Sequence, residues 1–226
     1  MKRLEETIKY RFKDISLLEK ALTHSSYTRE KELPRTMCSE RLEFLGDAAI
    51  ETIICEKLFQ MCPEEREGEL TKLKSNIVCS ESLAHIARKI QLGKYLRLGN
   101  GEIKSGGEDK NRILEDAMEA LAGAVFCDGG YEVAKSVLLP LFEMQIDRAL
   151  AGELDNNYKS AFQEIVQRHG SADICYEVVG EEGQSHDKIF AVQLLLNGKA
   201  IGQGTGKSKK EAENNAARDA ITKIER

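Results

Sequence analysis

The amino-acid sequence predicts two domains of different class: an all-α N-terminal domain and a small α+β C-terminal domain with the order α-β-β-β-α. Three observations carry this prediction. Apolar residues recur at helical spacing from about residue 15 to 150, with no convincing strand alternation. The period changes after the polar, turn-prone segment AGELDNN at 151–157. Asn197-Gly198 then marks a two-residue hairpin between two strand-like runs. The domains are therefore expected at 1–150 and 158–226, joined by a linker at 151–157.

In the first domain, Ser16 to Glu19 reads as a capping box opening a helix that carries Leu17, Leu18, Ala21 and Leu22. A loop with Pro34 precedes a long helix from about Ser39 to Gln60, which Pro63 stops. Further helices are expected at about 69–91, 110–127 and 131–149, and GNGEIKSGG at 99–107 reads as a loop. In the second domain, residues 158–169 read as a helix, and Cys175–Gly180, Lys188–Leu196 and Lys199–Gln203 as strands. A second capping box, Ser208 to Glu211, opens a helix with Ala212, Ala216, Ala217, Ala220, Ile221 and Ile224 on one face.

Composition narrows the function. The 226 residues include no tryptophan and 6% aromatics, so the core must be mostly aliphatic. No apolar run approaches the roughly 18 to 20 residues that cross a bilayer, and the start MKRLEETIKYRFKD is too charged for a signal peptide. A cytoplasmic protein without a membrane partner is expected. The six cysteines form no Cys-x-x-Cys pair, so they are expected as reduced thiols, mostly packed as small hydrophobes. Net charge is −5 and neither half carries a basic excess. Any nucleic-acid partner must therefore be met by a local cluster.

One such feature is acidic. Glu40, Glu43, Asp47 and Glu51 are spaced to share one face of the long helix, between Leu42, Phe44, Leu45, Ala48, Ala49, Ile50, Ile53 and Ile54. Glu40 and Glu43 suit the helix N-terminus, but Asp47 lies beyond that effect. Two carboxylates about 5 Å apart repel by roughly 3 kcal/mol at an effective dielectric near 20. A solvated surface face and a cation site both account for the stripe taken alone. A second pair tips the balance: Asp116 and Glu119 lie three residues apart in RILEDAMEALAGAVFCD, a helix otherwise rich in Ile, Leu, Ala, Met, Val and Phe. A lone carboxylate there is costly unless paired or coordinated. Two helices each offering an acidic pair suit Mg²⁺ or Mn²⁺, which take oxygen ligands. A di-iron bundle would need Glu-x-x-His, which none of the four histidines provides. His24 and His85 read as packing or hydrogen-bonding residues.

The other feature is basic. GQGTGKS at 202–208 resembles a phosphate-binding P-loop, but Ile201 stands where the pattern needs its first glycine, so no nucleotide cofactor is expected. Lys207, Lys209 and Lys210 surround the start of the last helix, where cations oppose the helix dipole. A bound phosphate would reverse that penalty. A solvated lysine-rich turn remains the plain alternative.

Taken together, SERLEFLGD at 39–47, ALTHSSY at 21–27, EGEL at 67–70 and GG…ILEDAMEALAGAVF at 106–126 resemble the ribonuclease III family. The tail, with GKSKKEAENNAA, resembles the double-stranded RNA-binding domain. The resemblance covers nearly the whole chain. It implies a Mg²⁺-dependent endonuclease, with Mn²⁺ as a substitute, that cuts double-stranded RNA as a homodimer. Products would carry 5′-phosphates and 3′-hydroxyls, and processing of ribosomal and other RNA precursors would be expected.

By motif position, the resemblance implies Glu43, Asp47, Asp116 and Glu119 as the metal-site carboxylates, with Asp47 and Glu119 catalytic. It implies Glu40 and Glu67 as accessory acidic residues and Phe44 as the aromatic that packs into the partner subunit. Glu51 lies outside the motif and reads as structural. Gln163 and Glu164 would meet one minor groove, His186 the next, and Lys207, Lys209 and Lys210 the phosphates between them. Two positions depart from the family pattern: Gln184 replaces a usual proline in the loop that presents His186, and Glu108 stands where a basic residue is common.

Overall fold

The computed structural model describes residues 1–154, 158–168, 172–182 and 188–224. The chain divides into two compact units, Met1–Leu154 and Asp155–Arg226.

The first unit is helical: α1 (Lys2–Ile8), α2 (Ile15–Ala21), α3 (Ser25–Glu30), α4 (Glu40–Met61), α5 (Glu67–Ile77), α6 (Ser80–Lys89), α7 (Asn100–Lys104) and α8 (Asn111–Leu150). Its one departure among the described residues is a single bridge between Thr23 and Arg97. Asp14, not Ser16, caps α2: its carboxylate accepts from the Ser16 amide at 2.9 Å, two residues before the expected cap. The helix expected at 69–91 is two helices, because Cys79 is extended (φ −71°, ψ 159°) where α6 begins. The break lets Ile77 and the Leu83–Ile86–Ala87 face each turn into the core. Asn100–Lys104, read as loop, forms one short helix.

The helices expected at 110–127 and 131–149 run on as α8, broken at Gly130 (φ 78°, ψ −176°), a conformation that only glycine adopts readily. Asp128 anchors the segment before α2 to this break. It accepts from the Tyr10 hydroxyl at 2.6 Å and from the Lys13 and Asp14 amides at 2.8 and 2.9 Å. The core is aliphatic as composition requires: Ile50, Ile53, Ile54 and Leu58 of α4 meet Leu114, Met118, Leu121 and Val125 of α8.

The second unit has α9 (Tyr158–Arg168), β1 (Ile174–Glu182), β2 (Ile189–Leu196), β3 (Lys199–Gly206) and α10 (Lys209–Ile224). The three strands form an antiparallel sheet in sequence order. Asn197 and Gly198 turn β2 into β3 with φ of 50° and 77°, the pair of positive angles that a tight hairpin needs. β3 runs three residues past its expected end at Gln203. Gly202 and Gly204 let α10 settle on it: a Cβ on either would lie 2.3 Å from Ala216 backbone atoms. The buried alanines 212, 216, 217 and 220 complete that packing. The second capping box forms with an offset. Ser208 Oγ accepts from the Glu211 amide at 3.2 Å, while the Glu211 carboxylate accepts from the Lys207 amide at 2.8 Å.

The cysteines are free, but they do not pack as expected: only Cys38 is buried, whereas Cys55, Cys127 and Cys175 are exposed. Their positions on α4, α8 and β1 face outward, where side-chain spacing rather than apolar character decides burial.

Candidate metal centre and nucleic-acid interface

Two glycines determine how closely α4 and α8 approach. A Cβ on Gly46 would fall 1.7 Å from the Glu119 carbonyl oxygen, and one on Gly123 would fall 2.1 Å from that of Leu42. Both lie inside helices with ordinary backbone angles, so close approach, not conformation, demands glycine. The two backbones touch here, and Glu43 and Glu119, each one turn before its helix's glycine, are carried along with them.

Glu43 of α4 and Asp116 and Glu119 of α8 consequently offer carboxylate oxygens that all lie within 4.8 Å of one another. All three side chains are half-buried. Asp47, one turn further along α4, is exposed and outside this group. Its charge nevertheless acts on Glu119. Glu40 is exposed and acts similarly on Glu43. Glu67 opens α5, exposed, accepting a hydrogen bond from the Thr71 hydroxyl at 3.0 Å. Glu51 leaves the acidic stripe altogether: its carboxylate pairs with Lys74 at 2.7 Å.

The electrostatics of the cluster are those of acids lacking a cation. Burial, then the charges of Asp47, Glu115, Glu43 and Asp116, push the Glu119 carboxyl up to about 8. Burial, then Asp116 and Glu40, push Glu43 up to about 7, against the opposing pull of Arg112. Asp116 is raised by burial and by Glu115, and held back by Arg112 and His24. The group contains only hard carboxylate oxygens, without cysteine or histidine, the donor set that Mg²⁺ and Mn²⁺ take and Zn²⁺ seldom takes alone. The residues present therefore fit a hard divalent ion.

Sequence reasoning missed Glu115 and Arg112, which flank this cluster on α8. Their spacing of four and seven residues from Glu119 was available as a signal. His24 serves as the side-chain cap of α3, its ring nitrogen accepting from the Ser26 amide at 3.2 Å, whereas His85 is exposed.

In the second unit, Gln163 and Glu164 are exposed on α9. Lys207, Lys209 and Lys210 are exposed at the start of α10, with Lys209 Nζ 5.8 Å from the centre of the Phe190 ring. His186 and Gln184 lie outside the described residues. In the first unit, Phe44 is 81% exposed, an extreme value for a side chain of that size.

The family model described as Ribonuclease-III-like matches residues 14–144, more than half of the chain. The chain belongs to the ribonuclease III family. Its members are endoribonucleases, and so is this protein. A second model, the double-stranded RNA binding motif, matches residues 158–224. A relative called Ribonuclease 3 from Desulforamulus reducens is 44% identical over 223 residues, covering 99% of this chain and 91% of its own length. Another from Caldanaerobacter subterraneus subsp. tengcongensis is 47% identical over 221 residues, covering 98% and 96%. Among solved structures, a ribonuclease III nuclease domain from Campylobacter jejuni, described for flexibility in the region involved in dimer formation, matches with a TM-score of 0.59. It is 39% identical and covers 63% of this chain and 96% of its own. The helical unit is thus a ribonuclease III nuclease domain, and the α-β-β-β-α unit a double-stranded RNA-binding domain. Among the described residues, no helix is long and apolar enough to cross a membrane.

Proposed function

We propose that the chain is a Mg²⁺-dependent endonuclease of double-stranded RNA that leaves 5′-phosphate and 3′-hydroxyl ends, with Mn²⁺ able to replace Mg²⁺. The observation that carries the reading is the group of three half-buried carboxylates, drawn from two helices, whose oxygens lie within 4.8 Å of one another, a crowding of like charge that a divalent ion would relieve. Glu43, Asp47, Asp116 and Glu119 would hold the ion. When bound, the ion supplies Lewis-acid stabilisation of the scissile phosphate and lowers the pKa of a water.

The chain's own residues do the rest. Glu43 and Glu119 would give up the protons that they hold near neutral pH, and Asp47, exposed one turn along α4 from Glu43, would join them at the ion. Glu40 and Glu67 would act on substrate handling. No side-chain nucleophile is needed. Gln163, Glu164 and His186 would meet the minor grooves and Lys207, Lys209 and Lys210 the phosphates, which makes recognition one of A-form shape. Phe44 would pack into a second copy of the chain, each protomer supplying one cutting site. Domain limits of 1–150 and 158–226 about a linker at 151–157, a cytoplasmic location, and a role in processing ribosomal and other RNA precursors complete the reading.

The test is a Glu119→Gln variant assayed for both duplex cleavage and duplex binding. Loss of cleavage with binding retained is the expected result. A variant that cuts at the normal rate would show that the site lies elsewhere.

A further inference from the structure

Glu115 lies on α8 between Arg112 and Asp116, four residues before Glu119, a spacing that brings the two side chains together on one helical face. Its oxygens are outside the group of mutually close ligand atoms formed by Glu43, Asp116 and Glu119. It is nevertheless half-buried and held in place from another element: the Ser80 hydroxyl donates to Glu115 Oε2 at 2.5 Å. Ser80 is the first residue of α6, so this bond ties α8 to the start of that helix. Glu115 directly precedes Asp116 and lies one turn before Glu119, so its side chain is within about a helical turn of the cluster.

A carboxylate that only joined α6 to α8 could do so through its hydrogen bond without bringing a further negative charge to an acidic site. A glutamine would accept the same bond. What glutamine would not supply is the charge, and beside three further carboxylates that charge is favourable chiefly when a cation occupies the cluster. We infer that Glu115, oriented by Ser80, is a positioning residue of the metal centre that strengthens divalent-ion binding from outside the ligand group. This inference rests on the proposed reading of the cluster as a metal site. One unit charge about a helical turn from a divalent ion, in a water-like dielectric, corresponds to about a tenfold change in affinity. The Ser80 hydroxyl matters less, because the charge remains when the bond is removed.

The experiment is titration of the full chain with Mn²⁺ in the absence of RNA, free ion being followed by electron paramagnetic resonance, for the unaltered protein and for Glu119→Gln, Glu115→Gln, Glu115→Asp and Ser80→Ala. Thermal unfolding of each is measured alongside. The expected result is that Glu119→Gln loses the site and that Glu115→Gln binds about tenfold more weakly with an unchanged Tm. Glu115→Asp and Ser80→Ala should stay within about threefold of the unaltered protein. Unaltered Mn²⁺ affinity in Glu115→Gln, with the site still lost in Glu119→Gln, would overturn the inference while leaving the metal centre intact. Equal losses in Ser80→Ala and Glu115→Gln with lowered Tm would overturn it in favour of a purely structural link. Absence of any Mn²⁺ binding by the unaltered chain would overturn the metal reading itself, and the inference with it.

Discussion

Replacing Gly46 with alanine adds one methyl group at the crossing of α4 and α8, and two opposing effects compete. Alanine is the better helix former, by about 1 kcal/mol in a helix interior, so on a free helix the change would stabilise. At this position the new Cβ would lie 1.7 Å from the Glu119 carbonyl oxygen and 2.7 Å from the Gly123 amide nitrogen. Both neighbours are backbone, so neither can swing aside. The helices must separate by about 2 Å to reach ordinary van der Waals contact. Overpacking of this kind costs about 3 kcal/mol where backbone must move, which outweighs the propensity gain and leaves a net loss of roughly 2 kcal/mol. For a domain of this size that is a Tm lower by about 4–8 °C. The same displacement pulls Glu43 away from Asp116 and Glu119, and misplacement of about 1 Å at a reacting centre costs on the order of a hundredfold in rate. Differential scanning calorimetry and a duplex-cleavage time course read the two effects. A Gly46→Ala protein that melts at or above the unaltered Tm and cuts normally would refute the claim that backbone contact at this crossing builds the site.

Further outcomes are expected. Because Glu43 and Glu119 hold protons up to about 7 and 8, bound ion and protons compete: Mn²⁺ affinity should fall roughly tenfold from pH 8 to 7 and more steeply below, and a flat profile would contradict the assigned ligands. In the metal-free protein these two carboxyls bind protons more tightly folded than unfolded. Their contribution to stability is therefore complete below the ordinary glutamate value of 4.5 and declines as pH rises through about 7 and 8, which metal-free melts across that range would register. Changing Lys207, Lys209 or Lys210 to alanine should weaken duplex binding uniformly across sequences and lower the salt slope of log Kobs by about one for each phosphate no longer neutralised, as filter binding at several salt concentrations would measure. Phe44→Asp, at an 81% exposed position, should leave the helical circular dichroism unchanged while converting a dimer to a monomer in sedimentation, and a variant that remains dimeric would remove Phe44 from the interface.

The helices and strands were largely legible because each buries one face, and burial writes its period into the sequence. What periodicity could not convey were local backbone choices. Asp14 and Ser16 both suit a helix start, and only the chain path from Asp128 decides between them. The break at Cys79 carries neither proline nor glycine; the run from Leu73 to Ile90 keeps helical spacing across it, so only packing reveals two helices. The site was legible in residue type rather than in geometry. Glu119 stood out as a lone charge in an apolar helix, but nothing in the spacing placed it against Glu43, which lies on another helix and meets it only because Gly46 and Gly123 let the backbones touch. Glu115 escaped notice for the opposite reason. Beside Asp116 it reads as one more surface charge, and its partner Ser80 is 35 residues away.

The most direct measurement is incubation of the purified chain with a long, end-labelled RNA duplex at low salt, with Mg²⁺ and then with EDTA. Short duplex products that form only with Mg²⁺ are the predicted result. A duplex that is shifted but left intact in both conditions would contradict it, leaving an RNA-binding protein whose carboxylate cluster does no cutting.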